Sequence, residues 1–167
     1  MFFFYFQGWK NSWQSSGAYV FRPDSSGRQP ISASDPLVTE VRGPLVNETI
    51  IRYADWAVAS MRLYSGQENI TEVTWQVGPL VDGKEVVMVY STDLDTREFH
   101  TDSSGRQMIK RTYSEDTAEP AAGNYYPVTT RLELRTGEEE AISLITDRSQ
   151  GGSSLHPGEM ELMVHRR

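Results

Sequence analysis

The sequence contains no cysteine. This absence excludes disulfide frameworks, zinc sites built on thiolates and thiol nucleophiles, but it does not identify a cellular compartment. Basic residues are also scarce: 16 lysines and arginines stand against 23 aspartates and glutamates, which gives a formal net charge of -7. Because no basic stripe is present to neutralise phosphates, the sequence argues against a nucleic acid partner.

Long hydrophobic runs are missing as well. No stretch approaches the roughly 20 apolar residues that a membrane-spanning helix requires, so we predict no membrane partner. Residues 1–6 are apolar, but they lack a positive flank and are too short for the hydrophobic region of a secretory signal. We predict a β-strand there instead. A chain of 167 residues has room for one domain of ordinary size.

Several segments of the sequence show a hydrophobic periodicity of two residues. Apolar and polar residues alternate at 73–77, 128–135 and 159–162, as half-buried strands require. Residues 86–90 are apolar on both faces, which is typical of a central strand. Further strands are predicted at residues 17–22, 38–42, 46–52, 56–64, 97–101, 106–113 and 141–146. Many short strands separated by glycine-containing turns predict an all-β fold, either a sandwich or a barrel.

The hexapeptide Asp-Ser-Ser-Gly-Arg-Gln occurs twice, at residues 24–29 and 102–107. The flanking residues do not match, which argues against an internal repeat. We interpret both copies as turns built from the same turn-forming residues.

His100 and Asp102 have a spacing that would place both side chains on one face of a strand, where they could share a metal ion. Two ligands do not complete a site, and neither His156 nor His165 is grouped with them in the sequence. We therefore favour a polar strand end that enters a turn at residues 103–105.

Other catalytic constellations find little support. Glycoside hydrolysis needs two carboxylates about 5 to 10 Å apart, but Asp93, Asp95, Asp116 and residues 138–140 are loop-like positions typical of a solvated face. No Gly-x-Ser-x-Gly elbow supports a serine hydrolase. Residues 151–154 are Gly-Gly-Ser-Ser, yet the lysine and helix of a phosphate-binding loop do not follow.

Two aromatic residues stand beside a proline at residues 123–127. Tyr125 and Tyr126 could stack on sugar faces, but such a grouping more often anchors a strand to the core. We favour the anchoring role. Asn47 and Asn69 each begin an Asn-x-Thr sequon, and each could accept an N-glycan if the chain passes through the secretory pathway.

Several segments carry a family resemblance. The most specific is the closing stretch, with Leu-Ile-Thr-Asp-Arg-Ser-Gln-Gly-Gly-Ser-Ser-Leu at residues 144–155 and Glu-Leu-Met-Val-His-Arg-Arg at residues 161–167. Supporting segments are residues 16–23, 43–45, 62–66, 77–79, 99–106 and 119–128. On these residues the chain resembles the lysosomal or vacuolar α-mannosidases of glycoside hydrolase family 38. The likeness is loose over residues 1–13 and 24–37.

The resemblance implies a fold and a location in a larger enzyme. It implies a galactose-mutarotase-like antiparallel β-sandwich with an incomplete set of sheets, a single segment over residues 1–167 cut from the family's C-terminal half. It also implies an exo-α-mannosidase acting on α-mannoside glycans in a lysosome, vacuole or secretory lumen. The start of the chain, the shortened stretch at residues 111–119 and the stop after Arg167 fit a fragment.

The resemblance further implies which residues touch the substrate. In the family the zinc ligands and the aspartate nucleophile belong to an upstream α/β domain, so no catalytic residue, metal ligand or cofactor is assigned to this chain. Tyr19 matches a tyrosine that contacts the bound mannose, and Arg166 matches an arginine whose backbone carbonyl accepts a sugar hydroxyl. We expect the chain to be inactive alone. The rival hypothesis is a free-standing carbohydrate-binding or interaction module.

Overall fold

The computed structural model describes residues 1–10, 15–17, 20–32, 34–80, 83–137 and 140–165. The chain divides into two compact units. The core unit comprises Met1–Gln29 and Gly83–Arg167, and the inserted unit comprises Pro30–Asp82.

The described residues form strands and one short 3-10 helix, Ala122–Asn124. The strands are β1 (Phe2–Gly8), β2 (Pro23–Pro30), β3 (Leu37–Arg42), β4 (Val46–Ala54), β5 (Ala57–Tyr64), β6 (Thr71–Val77), β7 (Lys84–Ser91), β8 (Glu98–Thr101), β9 (Ile109–Thr112), β10 (Tyr126–Val128), β11 (Arg131–Thr136), β12 (Glu140–Ile145), β13 (Gln150–Ser153) and β14 (Glu159–Met163). Each pair with a defined register is antiparallel. The predicted all-β antiparallel class is therefore confirmed, and the sheets do not close into a barrel.

The core unit contains two sheets. The large sheet has the order β10-β13-β14-β7-β1-β2, and the small sheet has the order β12-β11-β8-β9. β7 is central in the large sheet, and Val86, Val87, Met88 and Val89 are at most 2% exposed. The prediction of a strand covered on both sides at residues 86–90 is confirmed, because apolar residues on both faces can be buried only between two layers.

A hydrophobic cluster joins these two sheets into a sandwich. Phe99, Leu132 and Leu134 come from the small sheet, and Met160 and Leu162 come from the large sheet. Full burial of each such side chain stabilises the fold by about 1.5 to 3 kcal/mol. This cluster therefore holds one face of the large sheet against the small sheet.

The other face of the large sheet is called the outer face here. On it a second cluster groups Phe6, Val87, Val89 and Met163, and Phe21 and Tyr125 pack against that cluster. The Phe21 ring lies 5.4 Å from the Phe6 ring and 4.8 Å from the Tyr125 ring. The predicted strand at residues 17–22 is wrong for the described positions 17 and 20–22, which are not part of a strand. Phe21 covers a sheet rather than extends one.

The two copies of the repeated hexapeptide have different structures. Residues 102–107 follow β8 as a bend, as predicted, but residues 24–29 lie inside β2, so the turn prediction for that copy is wrong. In both copies the glycine has a positive φ, 70° at Gly27 and 71° at Gly105. The difference arises from tertiary partners, because β2 pairs with the edge of β1 and Arg28 is held by carboxylates of β14.

Two strands near the end of the described chain depart from the sequence pattern. Residues 150–153 form β13, which was not among the predicted strands. β14 was predicted to be half-buried, but residues 160–163 are all buried and Glu161 is inaccessible to solvent. The inserted unit, by contrast, follows its pattern: β3, β4, β5 and β6 pair in chain order as a meander.

Candidate functional site

Neither of the predicted sugar contacts can be located in the structure. Tyr19 and Arg166 lie outside the described residues. Residues 15–17 and 20–22 near Tyr19, and the residues before Arg166 up to His165, are described, and their contacts locate these flanks in the fold.

The flank of Tyr19 is anchored to the start of β7. The Ser16 hydroxyl donates to Glu85 Oε1 at 3.2 Å and accepts the backbone N–H of Arg22 at 3.0 Å. Gly17 and Val20 exchange backbone hydrogen bonds of 2.8 and 3.3 Å. Ser16 is 7% exposed and Glu85 is 1% exposed. These contacts fasten the segment before and after residue 19 to the outer face of the large sheet.

The flank of Arg166 reaches the same end of β7. The Val164 N–H donates to the Val86 carbonyl at 3.1 Å, which continues the β14–β7 pairing by one residue. The Met163 carbonyl accepts the Gln150 side-chain amide at 2.6 Å. The flanks of both predicted contacts are therefore attached to neighbouring residues of one strand, Glu85 and Val86.

A buried ionic cluster lies further along the outer face. Arg28 binds Glu159 Oε2 at 2.8 Å and Glu161 Oε2 at 2.7 Å. The Tyr125 hydroxyl donates to Glu161 Oε1. The Arg28 guanidinium also lies 4.6 Å from the centre of the Phe4 ring. Arg28 is thus paired with two carboxylates beside the aromatic rings of Phe4 and Tyr125. When both carboxylates are ionised, the cluster has a net negative charge.

Burial changes the protonation of Glu161. Burial raises the pKa of Glu161 to about 7, and the opposing effect of Arg28 is not large enough to prevent this. The physical cause is that desolvation disfavours the charged carboxylate more than Arg28 stabilises it. Sequence reasoning missed this cluster, because Glu161 alternates with apolar residues as a solvent-facing residue would.

Asp102 serves as an anchor for a loop. Its carboxylate accepts the backbone N–H groups of Thr129, Thr130 and Arg131 at 2.8 to 3.1 Å and also the Thr130 hydroxyl. Burial raises the pKa of Asp102, but these hydrogen bonds outweigh burial and hold the pKa below its usual value. His100 lies in β8 and Asp102 follows it, so the predicted strand end is confirmed.

A second buried carboxylate stabilises the small sheet. Glu133 is 1% exposed and binds Arg131, Arg135 and the Ser143 hydroxyl. Burial raises its pKa, but Ser143 and Arg131 outweigh that effect and lower the pKa overall. The alternation Arg-Leu-Glu-Leu-Arg at residues 131–135 contains the signal for this cluster, because residues two apart share a face of a strand.

The remaining candidates have simpler roles. Asp93, Asp95 and Asp116 are exposed, as expected for a solvated face, while Glu138 and Glu139 lie outside the described residues. Among the described ranges, no group of three or more His, Cys, Asp or Glu residues could hold a metal ion.

Tyr125 and Tyr126 pack against the two hydrophobic clusters, which confirms the anchoring role predicted for this segment. Asn47 and Asn69 are both exposed. Within the described ranges, no helix is both long and apolar enough to cross a bilayer.

The sequence is similar to a protein-family profile and to curated proteins. The profile described as "Glycosyl hydrolases family 38 C-terminal domain" matches residues 3–167. The chain is 43% identical over 165 residues to lysosomal alpha-mannosidase of Homo sapiens, covering 92% of this chain and 16% of that protein. It is 42% identical over 171 residues to lysosomal alpha-mannosidase of Mus musculus, covering 96% of this chain and 17% of that protein.

A plant relative shows the same relation. The chain is 41% identical over 170 residues to alpha-mannosidase of Canavalia ensiformis, covering 94% of this chain and 17% of that protein. The chain therefore spans only about one sixth of the length of the curated relatives it matches.

Proposed function

The chain belongs to the family described as "Glycosyl hydrolases family 38 C-terminal domain". From this membership we propose that the chain forms the β-sandwich wall of the sugar pocket in an exo-α-mannosidase. The longer enzyme would remove α-linked mannose from glycoprotein glycans. The family match over residues 3–167 is the observation that carries this proposal, and the relatives named alpha-mannosidase support it.

In this proposal Tyr19 and Arg166 orient the sugar. The Tyr19 hydroxyl forms a hydrogen bond with one mannose hydroxyl, and the Arg166 backbone carbonyl accepts a hydrogen bond from another. The attachment of their described flanks to Glu85 and Val86 supports the proposal, because two segments fastened to adjacent residues of one strand can serve one ligand. Rigid strands are a suitable base for such positioning.

Bond cleavage would depend on residues outside this chain. Zinc, when bound in the longer enzyme, would grip adjacent sugar hydroxyls and polarise them. The described residues of this chain do not fit such a site, because no cluster of three metal ligands exists among them. The oxygen atoms of the Asp102 carboxylate already accept hydrogen bonds from backbone N–H groups. We assign zinc and both catalytic carboxylates to an α/β domain, in the same polypeptide or in a separate chain.

The location follows from the same relatives. Those from human and mouse are named lysosomal alpha-mannosidases. We propose that the longer enzyme works in a lysosome or vacuole after passage through the secretory lumen.

An activity assay tests whether catalysis requires residues outside this chain. The purified chain is incubated with an aryl α-mannoside and added zinc, and the longer polypeptide that contains it is assayed in parallel. We expect turnover only from the longer polypeptide. Robust turnover by the 167-residue chain alone would overturn the assignment of catalysis to another domain.

The sugar contact is tested by Tyr19→Phe in the longer polypeptide. Loss of one hydrogen bond of about 1 kcal/mol lowers kcat/KM for α-mannosides roughly fivefold. Tyr126→Phe is the matched control, because Tyr126 packs on the sandwich side of the large sheet. Equal kcat/KM for the Tyr19 variant and the unmodified enzyme would contradict the proposed contact.

The rival hypothesis of a free-standing binding module has its own signature. It predicts that the chain alone is monodisperse, unfolds cooperatively and binds mannosides. Calorimetry of the chain alone with methyl α-mannoside separates the two proposals. Tight binding by the chain alone would favour the module.

A further inference from the structure

Two glycan acceptor sequences lie at the same end of the meander sheet of the inserted unit. Asn47 is the second residue of β4, and Asn69 lies in the turn between β5 and β6. Val46 pairs with Tyr64, and the Ser65 N–H donates to the Leu45 carbonyl at 2.9 Å. The β3–β4 turn and the β5–β6 turn are therefore neighbours.

An apolar groove separates these two turns. Its volume is about 270 Å³, and it is lined by residues that include Pro44, Leu45, Asn47, Leu63, Tyr64 and Glu68. Leu45 is 76% exposed, Leu63 is 45% exposed, and Ile70 beside Asn69 is 61% exposed. A patch of exposed large apolar side chains of this kind usually marks a surface that something covers.

Both acceptor asparagines lie close enough to the groove for attached glycans to cover it. Asn47 itself lines the groove, and Asn69 follows the lining residue Glu68. In β4 the side chains of Asn47 and Thr49 share one face, while Glu48 turns to the other face and binds Ser60 and Arg62. Both acceptors are exposed, which leaves room for a bulky group.

We propose that Asn47 and Asn69 are N-glycosylated and that the first sugars of these glycans cover the apolar groove between the two turns. The apolar faces of the core sugars contact Leu45 and Leu63, while their hydroxyls face water. This inference rests on the proposed passage through the secretory lumen, because the modification occurs there.

The modification is a balanced group transfer. The side-chain amide nitrogen of the asparagine attacks the anomeric carbon of an oligosaccharide carried on a polyisoprenyl pyrophosphate. The bond from that carbon to the pyrophosphate oxygen breaks, and the lipid pyrophosphate leaves with the electron pair. The amide nitrogen loses one proton, so no oxidant or reductant is needed.

Occupancy is measured on the chain secreted from a eukaryotic host behind a cleavable signal. Enzymatic deglycosylation in heavy-oxygen water labels each modified asparagine for peptide mass spectrometry. We expect both positions to be labelled. Thr49→Val and Thr71→Val are each expected to remove one glycan, whereas the matched variants Thr49→Ser and Thr71→Ser keep the acceptor sequence and the glycan.

Coverage is measured with a dye that fluoresces on apolar surfaces. We expect dye binding to rise when the glycans are removed from the folded chain, and to rise much less in Leu45→Ser. No label at either asparagine overturns the proposal. Full occupancy with unchanged dye binding also overturns it, because the groove would then be covered by another part of the longer enzyme or a second copy.

These outcomes are separate from the mannosidase proposal. The signal sends the chain to the lumen whatever its natural location, so missing glycans there would overturn only this inference. Loss of α-mannoside turnover in the longer polypeptide would overturn only the proposed function.

Discussion

Buried carboxylates are the residues at which the sequence pattern and the structure differ most. Glu133 and Glu161 alternate with apolar residues, and a period of two assigns them to solvent. Both are buried: the strand of Glu161 is covered on two faces, the Glu133 carboxylate is enclosed by Arg131, Arg135 and Ser143, and arginines supply the opposite charge at both positions. Arg28 is 133 residues away from Glu161, so no local pattern could have predicted that pair.

Removing the Asp102 carboxylate tests its role as an anchor. In Asp102→Ala three backbone N–H groups lose their acceptor, and we expect the free energy of unfolding to fall by about 3 kcal/mol. Urea denaturation near neutral pH measures the change. The exposed Asp95→Ala is the control and should leave stability unchanged. A change of similar size in both variants would contradict the anchoring role.

The raised pKa of Glu161 predicts a pH dependence of stability. The folded chain binds the proton with a pKa of about 7, whereas the ordinary value is 4.5. The folded state therefore holds this proton more tightly, and its stabilisation is complete below pH 4.5 and lost as pH rises through about 7. We expect the free energy of unfolding to decrease between about pH 5 and pH 8.

Glu161→Gln tests the source of that dependence. Glutamine resembles the protonated carboxyl group, and Arg28 retains Glu159. Urea denaturation across the same pH range should show a flatter profile in this variant than in the unmodified chain. Glu140→Gln, at an exposed position, should keep the original profile. An unmodified chain with no pH dependence in this range would contradict the assignment to Glu161.

Strands were predictable where packing and pattern agree. β7 was recognised because a strand in the middle of a sandwich must be apolar on both faces, and β6 of the inserted unit was recognised from its alternation. β13 was not, because Gly151 and Gly152 carry no side chains that could show a period. Gly151 and Gly152 form a strand because β13 pairs with β10 on one side and with β14 on the other.

That close approach predicts the effect of a single methyl group. A Cβ at Gly152 would lie 2.6 Å from Val128 Cγ2 and 3.3 Å from Leu162 Cδ2. We expect Gly152→Ala to lower the free energy of unfolding by about 1 to 3 kcal/mol through overpacking. A thermal melt checks this, with Gly17→Ala as control, since nothing lies within 4 Å of a Cβ there. Equal melting temperatures for the two variants would contradict the packing argument.

At the scale of the whole molecule, the sandwich was predictable but the sugar contacts were not. Alternating strands and turns are sufficient to indicate an all-β fold. Tyr19 and Arg166 are ordinary residue types without a motif of their own, so only the family resemblance assigned them a role. The expectation of a single segment over residues 1–167 stays a prediction.

The division into two units predicts that the core unit can fold without the inserted unit. Both hydrophobic clusters and both sandwich sheets lie in the core unit. We expect a chain with a short Gly-Ser linker in place of Pro30–Asp82 to show β-type circular dichroism and one cooperative melt. Leu132→Ala in this chain should cost about 2 to 5 kcal/mol. Absence of a transition in the shortened chain, with one in the full chain, would contradict the expectation.

The pairing of β7 has a consequence for synthesis on the ribosome. β1 pairs with one edge of β7, but the other edge pairs with β14, which is made some 70 residues later (residues 84–91 against 159–163). A nascent chain therefore carries an open edge of Val and Met residues until residues 159–163 have been synthesised. The meander of residues 37–77 pairs only with sequence neighbours and can form earlier. The large sheet is completed last, so pauses in translation before residue 159 would favour aggregation through that edge.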